Sequence, residues 1–189
     1  MNFIDEILSY QPVNMQEETD KKVISDLINT YGQNLLNREN MAVHVSASGF
    51  IVNPTLTKTL VVYHNIYKAW TWTGGHADGD GELLNVALRE ATEETGISKI
   101  KPLSNKLAVL DILNVPAHMK KGNYVNNHLH ISTGYLLVAD ENQAICIKPD
   151  ENSGVMWIEL ADLFKYCTEA EMAGVYRKLL DRLAKFKTC

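Results

Sequence analysis

Three glutamates, Glu90, Glu93 and Glu94, stand at i, i+3 and i+4 of a segment patterned as a helix. That spacing puts their carboxylates on neighbouring parts of one helical face. Like charges so close repel, and Gly96 marks the segment's C-terminal end, where the helix dipole disfavours anions. Each carboxylate therefore loses a few tenths of a kcal/mol, roughly. A divalent cation would remove that penalty. Carboxylate oxygens are hard ligands, and no thiolate or imidazole pair joins them at ligand spacing, so the donor set favours Mg2+ or Mn2+ over Zn2+. Such cations bind diphosphates, neutralise the charge of phosphoryl transfer and acidify water. On its own, a Glu-x-x-Glu-Glu run is more often a solvated helix face, and the surrounding chain has to decide.

The helix that would carry these groups spans residues 82–95, with Leu83, Leu84, Val86, Ala87, Leu88 and Ala91 as its apolar positions. Asp80 is the candidate N-cap and Gly96 the candidate stop. Before it, Gly74-Gly75 and Asp78-Gly79-Asp80-Gly81 concentrate turn chemistry and read as a loop. Residues 41–52 and 60–64 are rich in valine, isoleucine and aromatics and read as strands joined at Asn53-Pro54, and residues 67–73 are β-prone. Further strands are expected at 106–113, 129–138 and 155–158, with helices at 161–166 and 169–186. Residues 15–36 repeat apolar positions at helical intervals (Val23, Ile24, Leu27, Ile28, Tyr31, Leu35). The order predicts an α/β (α+β) fold with a central mixed sheet and helices packed around it. It also divides the chain into a helical N-terminal extension at 1–39, packing on the core, and a main domain at 40–189. The amphipathic arm fits a cap on the sheet, a homodimer contact or one wall of a pocket, and its sequence does not choose.

At 189 residues, with 46% hydrophobic and 22% charged positions, the chain can bury one good core. A formal net charge of -5 argues against a surface built for duplex nucleic acid. The first ten residues include Asp5 and Glu6 and do not resemble a secretory signal, and no stretch is apolar enough to cross a bilayer. Cys146, Cys167 and Cys189 lack the spacing of a zinc site or a disulfide framework, so a reducing cytoplasm is the expected location, with no membrane partner.

The segment 75–97, ending in Arg89-Glu90-Ala91-Thr92-Glu93-Glu94-Thr95-Gly96-Ile97, closely resembles the Nudix box, G-x5-E-x7-R-E-U-x-E-E-x-G-U with U aliphatic. One departure is visible. The first box glutamate's position holds Gly81, and Glu82 follows one residue later, on the same helical face as Arg89. In the family that glutamate orients the arginine and the helix, and Glu82 is expected to substitute. The resemblance implies a Nudix-like α/β/α sandwich and metal ligation by Glu90, Glu93, Glu94 and the Gly75 carbonyl. It also implies a Mg2+- or Mn2+-dependent pyrophosphohydrolase whose small-molecule substrate is a nucleoside diphosphate linked to another group. An isopentenyl-diphosphate isomerase of the same fold would need a cysteine near Gly74-Gly75, where Trp72-Thr73-Gly74-Gly75-His76 supplies none. A catalytically silent nucleotide sensor is the other reading, and such modules often show eroded carboxylates; here they are present.

The resemblance extends more loosely over residues 43–163. Trp70 and Trp72 fit base stacking and sheet packing equally well. Asp150-Glu151 before the Trp157 strand resembles the family's loop acid, with Glu151 the candidate general base, Asp150 its rival, and Glu90 a second group able to assist. His128 and His130 alternate along a strand and so face the same way, as substrate contacts or as structural histidines. Without further ligands at suitable spacing, no zinc site is expected there. His76 reads as a loop residue, and Lys120-Lys121 as a solvated basic pair.

Overall fold

In the computed structural model, which describes residues 2–120 and 122–187, apolar alternation in β1 (Val43–Val52) sorts its side chains onto two faces. Val43, Val45, Ala47 and Ile51 point into one core, while Phe50 and Val52 point into a second on the opposite face. β9 (His128–Ala139) lies parallel to β1 along its full length, from Val43 opposite Leu129 to Val52 opposite Val138. Both strands are almost wholly buried, as expected of central strands covered on two sides.

The remaining strands pair antiparallel around this spine. β2 (Lys58–His64) joins the C-terminal end of β1, with β3 (Ala69–Thr71) and β10 (Asn152–Glu159) on β2. β4 (Thr73–His76) pairs with residues 46–49 of β1. β5 (Ile100–Pro102) and β6 (Val109–Val115) share the far edge of β9. A separate hairpin, β7 (His118–Lys120) and β8 (Asn123–Val125), turns at Gly122, whose φ of 82° suits glycine. Lys121 and Cys189, both noted in the sequence, lie outside the described residues; of the other cysteines, Cys146 and Cys167 are free thiols.

Helices cover both faces. α1 (Phe3–Ser9), α2 (Met15–Tyr31) and α3 (Leu83–Thr95) bury Phe3, Ile7, Ile24, Ile28, Leu83, Val86, Ala87 and Ala91 in the first core. α4 (Leu163–Tyr166) and α5 (Met172–Ala184) bury Leu163, Val175, Tyr176 and Leu179 in the second. The architecture is the mixed sheet between helical layers that the strand and helix order implies. The N-terminal arm lays its apolar stripe on the first core: the Asn2 side chain accepts the Ile4 and Asp5 N–H groups, the Asn14 side chain accepts the Glu17 N–H, and a short 3-10 segment, Gly32–Leu36, returns the chain to β1. The arm also covers a sheet edge. Outward N–H groups of Leu110 and Ile112 on β6 donate to Glu17 and Asp20 of α2, which closes an otherwise unpaired edge. None of the described helices is long and apolar enough to cross a membrane.

Candidate active site

Because α3 buries its apolar side in the first core, its glutamate face is left toward a cleft of about 590 Å³. The helix ends as its sequence suggests, with Gly96 left-handed at φ 73° and its N–H donating to the Thr92 carbonyl at 2.9 Å. Its start differs from expectation. Glu82, not Asp80, is the N-cap residue, and no side chain caps the helix; Asp80 sits two residues further out, where it accepts the Glu82 N–H at 2.9 Å.

The loop reading of Gly74-Gly75 is also corrected, since both glycines lie within β4. They are there for close approach. A Cβ on Gly74 would stand 2.2 Å from Ser48 Oγ, and one on Gly75 would stand 2.4 Å from the Glu90 carboxyl carbon. β4 can therefore slide between β1 and α3 without displacing the carboxylates. Gly75→Ala is expected to push the Glu90 carboxylate about 1 Å aside, with roughly 100-fold lower kcat in a steady-state assay and an unchanged far-UV CD spectrum.

Ligand oxygens of Glu90, Glu94 and Glu151 lie within 4.8 Å of one another. Glu151 reaches this group from the loop leading into β10, which is tied to α3 by the Asn152 amide donating to the Glu94 carbonyl at 2.9 Å. Asp150 also lines the cleft. Glu94 is almost completely buried and accepts the Gly74 N–H at 3.2 Å. Burial, assisted by the charges of Glu151 and Glu90, raises its carboxyl to about 8 against that hydrogen bond. Glu90 is raised too, by burial and then by the Glu93 charge.

Glu93 occupies a different position. Its carboxylate is half-exposed and held by Lys148 Nζ at 2.7 Å, and the same ammonium stands 3.1 Å from Glu151. Burial alone would lower the Lys148 pKa, but the hydrogen bonds to Glu93 and Glu151 outweigh it and push it up. Part of the repulsion inferred for the three glutamates is thus already relieved by a lysine. Arg89 pairs with Asp80 at 3.4 Å and with Glu90 at 3.5 Å. The acid beside the arginine is therefore the residue before Gly81, whereas Glu82 lies near enough to Glu6 and Tyr135 to influence their ionisation.

The cleft walls include Arg38, Tyr67, Trp72, His76 and His130. Trp70 packs edge-on against Tyr63, and Trp72 is mostly buried against Tyr176, so both serve the sheet. The exposed aromatic at the cleft is Tyr67, stacked on His64 with ring centroids 4.4 Å apart. His128 and His130 do face the same way and are joined there by His44 and by His76, which is the last residue of β4 and not a loop residue. Sequence reasoning missed Lys148, Arg38 and Tyr67, and gave Asp80 a capping role in place of its pairing with Arg89.

A family model for the NUDIX domain matches residues 42–183. The chain belongs to this family. Among solved structures, this Nudix protein is similar in fold to a C. elegans Ap4A hydrolase in a binary complex, with 22% identity, a TM-score of 0.56, and 75% of this chain and 98% of that one covered. It is likewise similar to a Nudix hydrolase from M. smegmatis, RenU (14% identity, TM-score 0.55, 75% and 86% covered). A MutT protein from Methanosarcina mazei Go1 aligns at 16% identity and a TM-score of 0.53, over 78% and 97%. Identities this low establish a shared fold. No curated protein sequence matches the chain. Membership identifies a pyrophosphohydrolase acting on phosphorus-containing anhydrides.

Proposed function

We propose that this Nudix protein is a divalent-metal-dependent hydrolase that cleaves the diphosphate linkage of a nucleoside diphosphate joined to a second group. The convergence of Glu90, Glu94 and Glu151 within 4.8 Å at the cleft supports this reading most directly. The donor atoms fit the implied cation: they are oxygens only, and burial and mutual repulsion hold Glu90 and Glu94 above the ordinary carboxylate range, a cost that a hard cation offsets. Glu90, Glu94, the Gly75 carbonyl and Glu93, once released from Lys148, are the ligands for Mg2+ or Mn2+. When bound, that ion supplies charge neutralisation for the diphosphate and acidifies water.

The chain's own groups do the rest. Glu151 accepts the proton of the attacking water, with Glu90 as the second carboxylate in reach. Lys148 and Arg38, both lining the cleft, are the cations within the site for phosphate oxygens; Arg38 is held by Asp78, and Lys148 keeps Glu151 at 3.1 Å when Glu93 turns to the cation. Tyr67 offers a ring face to a nucleobase.

The test is a panel of nucleotide sugars, dinucleoside polyphosphates, ADP-ribose, NADH and nucleoside triphosphates, assayed with Mg2+, with Mn2+ and with chelator. Cleavage of one member into two phosphate-bearing products, abolished by chelator, is the expected result. Inactivity across the panel with tight binding of one member would replace the hydrolase with a nucleotide sensor.

A further inference from the structure

Beside the carboxylates lies a second cluster with different chemistry. His44 on β1, His76 on β4, and His128 and His130 on β9 bring one ring nitrogen each to within 4.8 Å of the others. Sheet register makes this meeting: His44 is level with His130 across the parallel pair, and Ser46, on the same face of β1 as His44, is level with His76. Zinc ligands were not expected here because His128-x-His130 supplies only two, and the others come from strands remote in sequence.

We propose that these four histidines form a closed site for a divalent transition ion of the zinc class, stapling β4 to β1 and β9. Three observations point to a ligand. His44 is buried, yet its Nε2 has no hydrogen-bond partner among the described residues, an arrangement that is costly unless something binds it. The opposite nitrogens of His44 and His128 are fixed by main-chain carbonyls, Nδ1 to Asn40 O at 3.0 Å and Nδ1 to Asn126 O at 2.8 Å. That is the outer-shell arrangement which orients metal-ligating imidazoles and leaves Nε2 as the ligand atom. Finally, His128 Nε2 and His130 Nε2 are 3.2 Å apart, close to the roughly 3.3 Å edge of a tetrahedron with metal–nitrogen bonds of about 2.0–2.1 Å. Imidazole nitrogens favour Zn2+ over the Mg2+ suited to the carboxylates, so the two sites would sort two metals. His76 follows Gly75 directly, so an ion held here braces the strand that lies against Glu90 and donates the Gly74 N–H to Glu94.

The test uses the full chain without a polyhistidine tag, stripped with chelator and titrated with Zn2+ or Co2+ alone. One equivalent of Zn2+ is expected, together with the intense visible bands of tetrahedral Co2+ and an X-ray absorption spectrum of the zinc-loaded wild type fitted by four imidazole nitrogens. Zn2+ should also raise Tm. His76→Asn, at the half-exposed position, and His44→Ala should lose the Co2+ bands, while Glu94→Gln keeps them, which separates this site from the carboxylate one. Wild-type protein that takes up no Zn2+ beyond the level of His76→Asn, or zinc absorption fitted by oxygen ligands, or Co2+ bands lost in Glu94→Gln but retained in the histidine variants, would each overturn the site. The spectrum of the wild type decides the matter even if a histidine variant fails to fold.

Discussion

Replacing Glu94 with glutamine is expected to lower kcat with Mg2+ by about 100- to 1,000-fold while leaving the fold intact, because a ligand at the convergence of the carboxylates is lost without loss of volume. The same substitution has an opposite effect on stability in chelator. Burial raises the Glu94 carboxyl from 4.5 to about 8, so the folded state holds its proton where the unfolded state has released it. The stability associated with the protonated group is complete below pH 4.5 and is lost as pH rises to about 8, at a limiting slope of about 1.4 kcal/mol per pH unit. Glutamine does not titrate. Chelated Glu94→Gln should therefore gain on chelated wild type as pH climbs through that window, and Mg2+ should close the gap by restoring the wild-type carboxylate's partner. Urea melts of both proteins at a series of pH values measure this directly. A flat difference from pH 5 to 8 would overturn the raised carboxyl, and unimpaired turnover in the mutant would remove Glu94 from the metal site.

α3 was legible because a helical apolar period, three glutamates and a glycine stop all agree within one local stretch, and helix geometry alone converts that spacing into a shared face. β4 was not, because Gly74-Gly75 reads locally as a turn; the reason for those glycines is the approach of Ser48 and Glu90, which only tertiary packing reveals. α1 escaped for a related reason. Its core contacts are Phe3 and Ile7, a single i, i+4 pair too short to establish a period. The hairpin of β7 and β8 is just as brief.

The site divides along the same line. Glu90, Glu93 and Glu94 are neighbours in sequence, and a loop acid before the Trp157 strand could be named from the family's pattern. Lys148 could not be matched to Glu93 without the fold, since 55 residues separate the pair. Nor could Asp80 be preferred to Glu82 beside Arg89, because the choice depends on how the chain enters the helix. The histidine cluster is the extreme case, drawing on three strands and on a parallel register that no local period encodes.

Lys178→Met should be the most destabilising of the simple substitutions away from the cleft. The Lys178 ammonium on α5 is buried with two carboxylates, Glu17 of α2 at 3.1 Å and Asp111 of β6, and also donates to Gln16. Glu17 is itself held by the Tyr10 hydroxyl at 2.8 Å and the Val13 N–H at 2.9 Å, so this one cation fastens the N-terminal arm, the sheet edge and the last helix. Removing it leaves two buried acids without their counter-charge. Burial already raises Asp111 above its usual range against the pull of the lysine, and without that pull it rises further. The expected loss is about 3–5 kcal/mol, or roughly 6–20 °C in Tm for a chain of this size, with kcat near wild type at low temperature because Lys178 lies outside the cleft. Combining Lys178→Met with Glu17→Gln and Asp111→Asn should recover much of the deficit, since the penalty comes from the unpaired charges more than from the missing pair. A triple variant no more stable than the single one would show that packing of the lysine stem, and not its charge, is what joins the arm to the core.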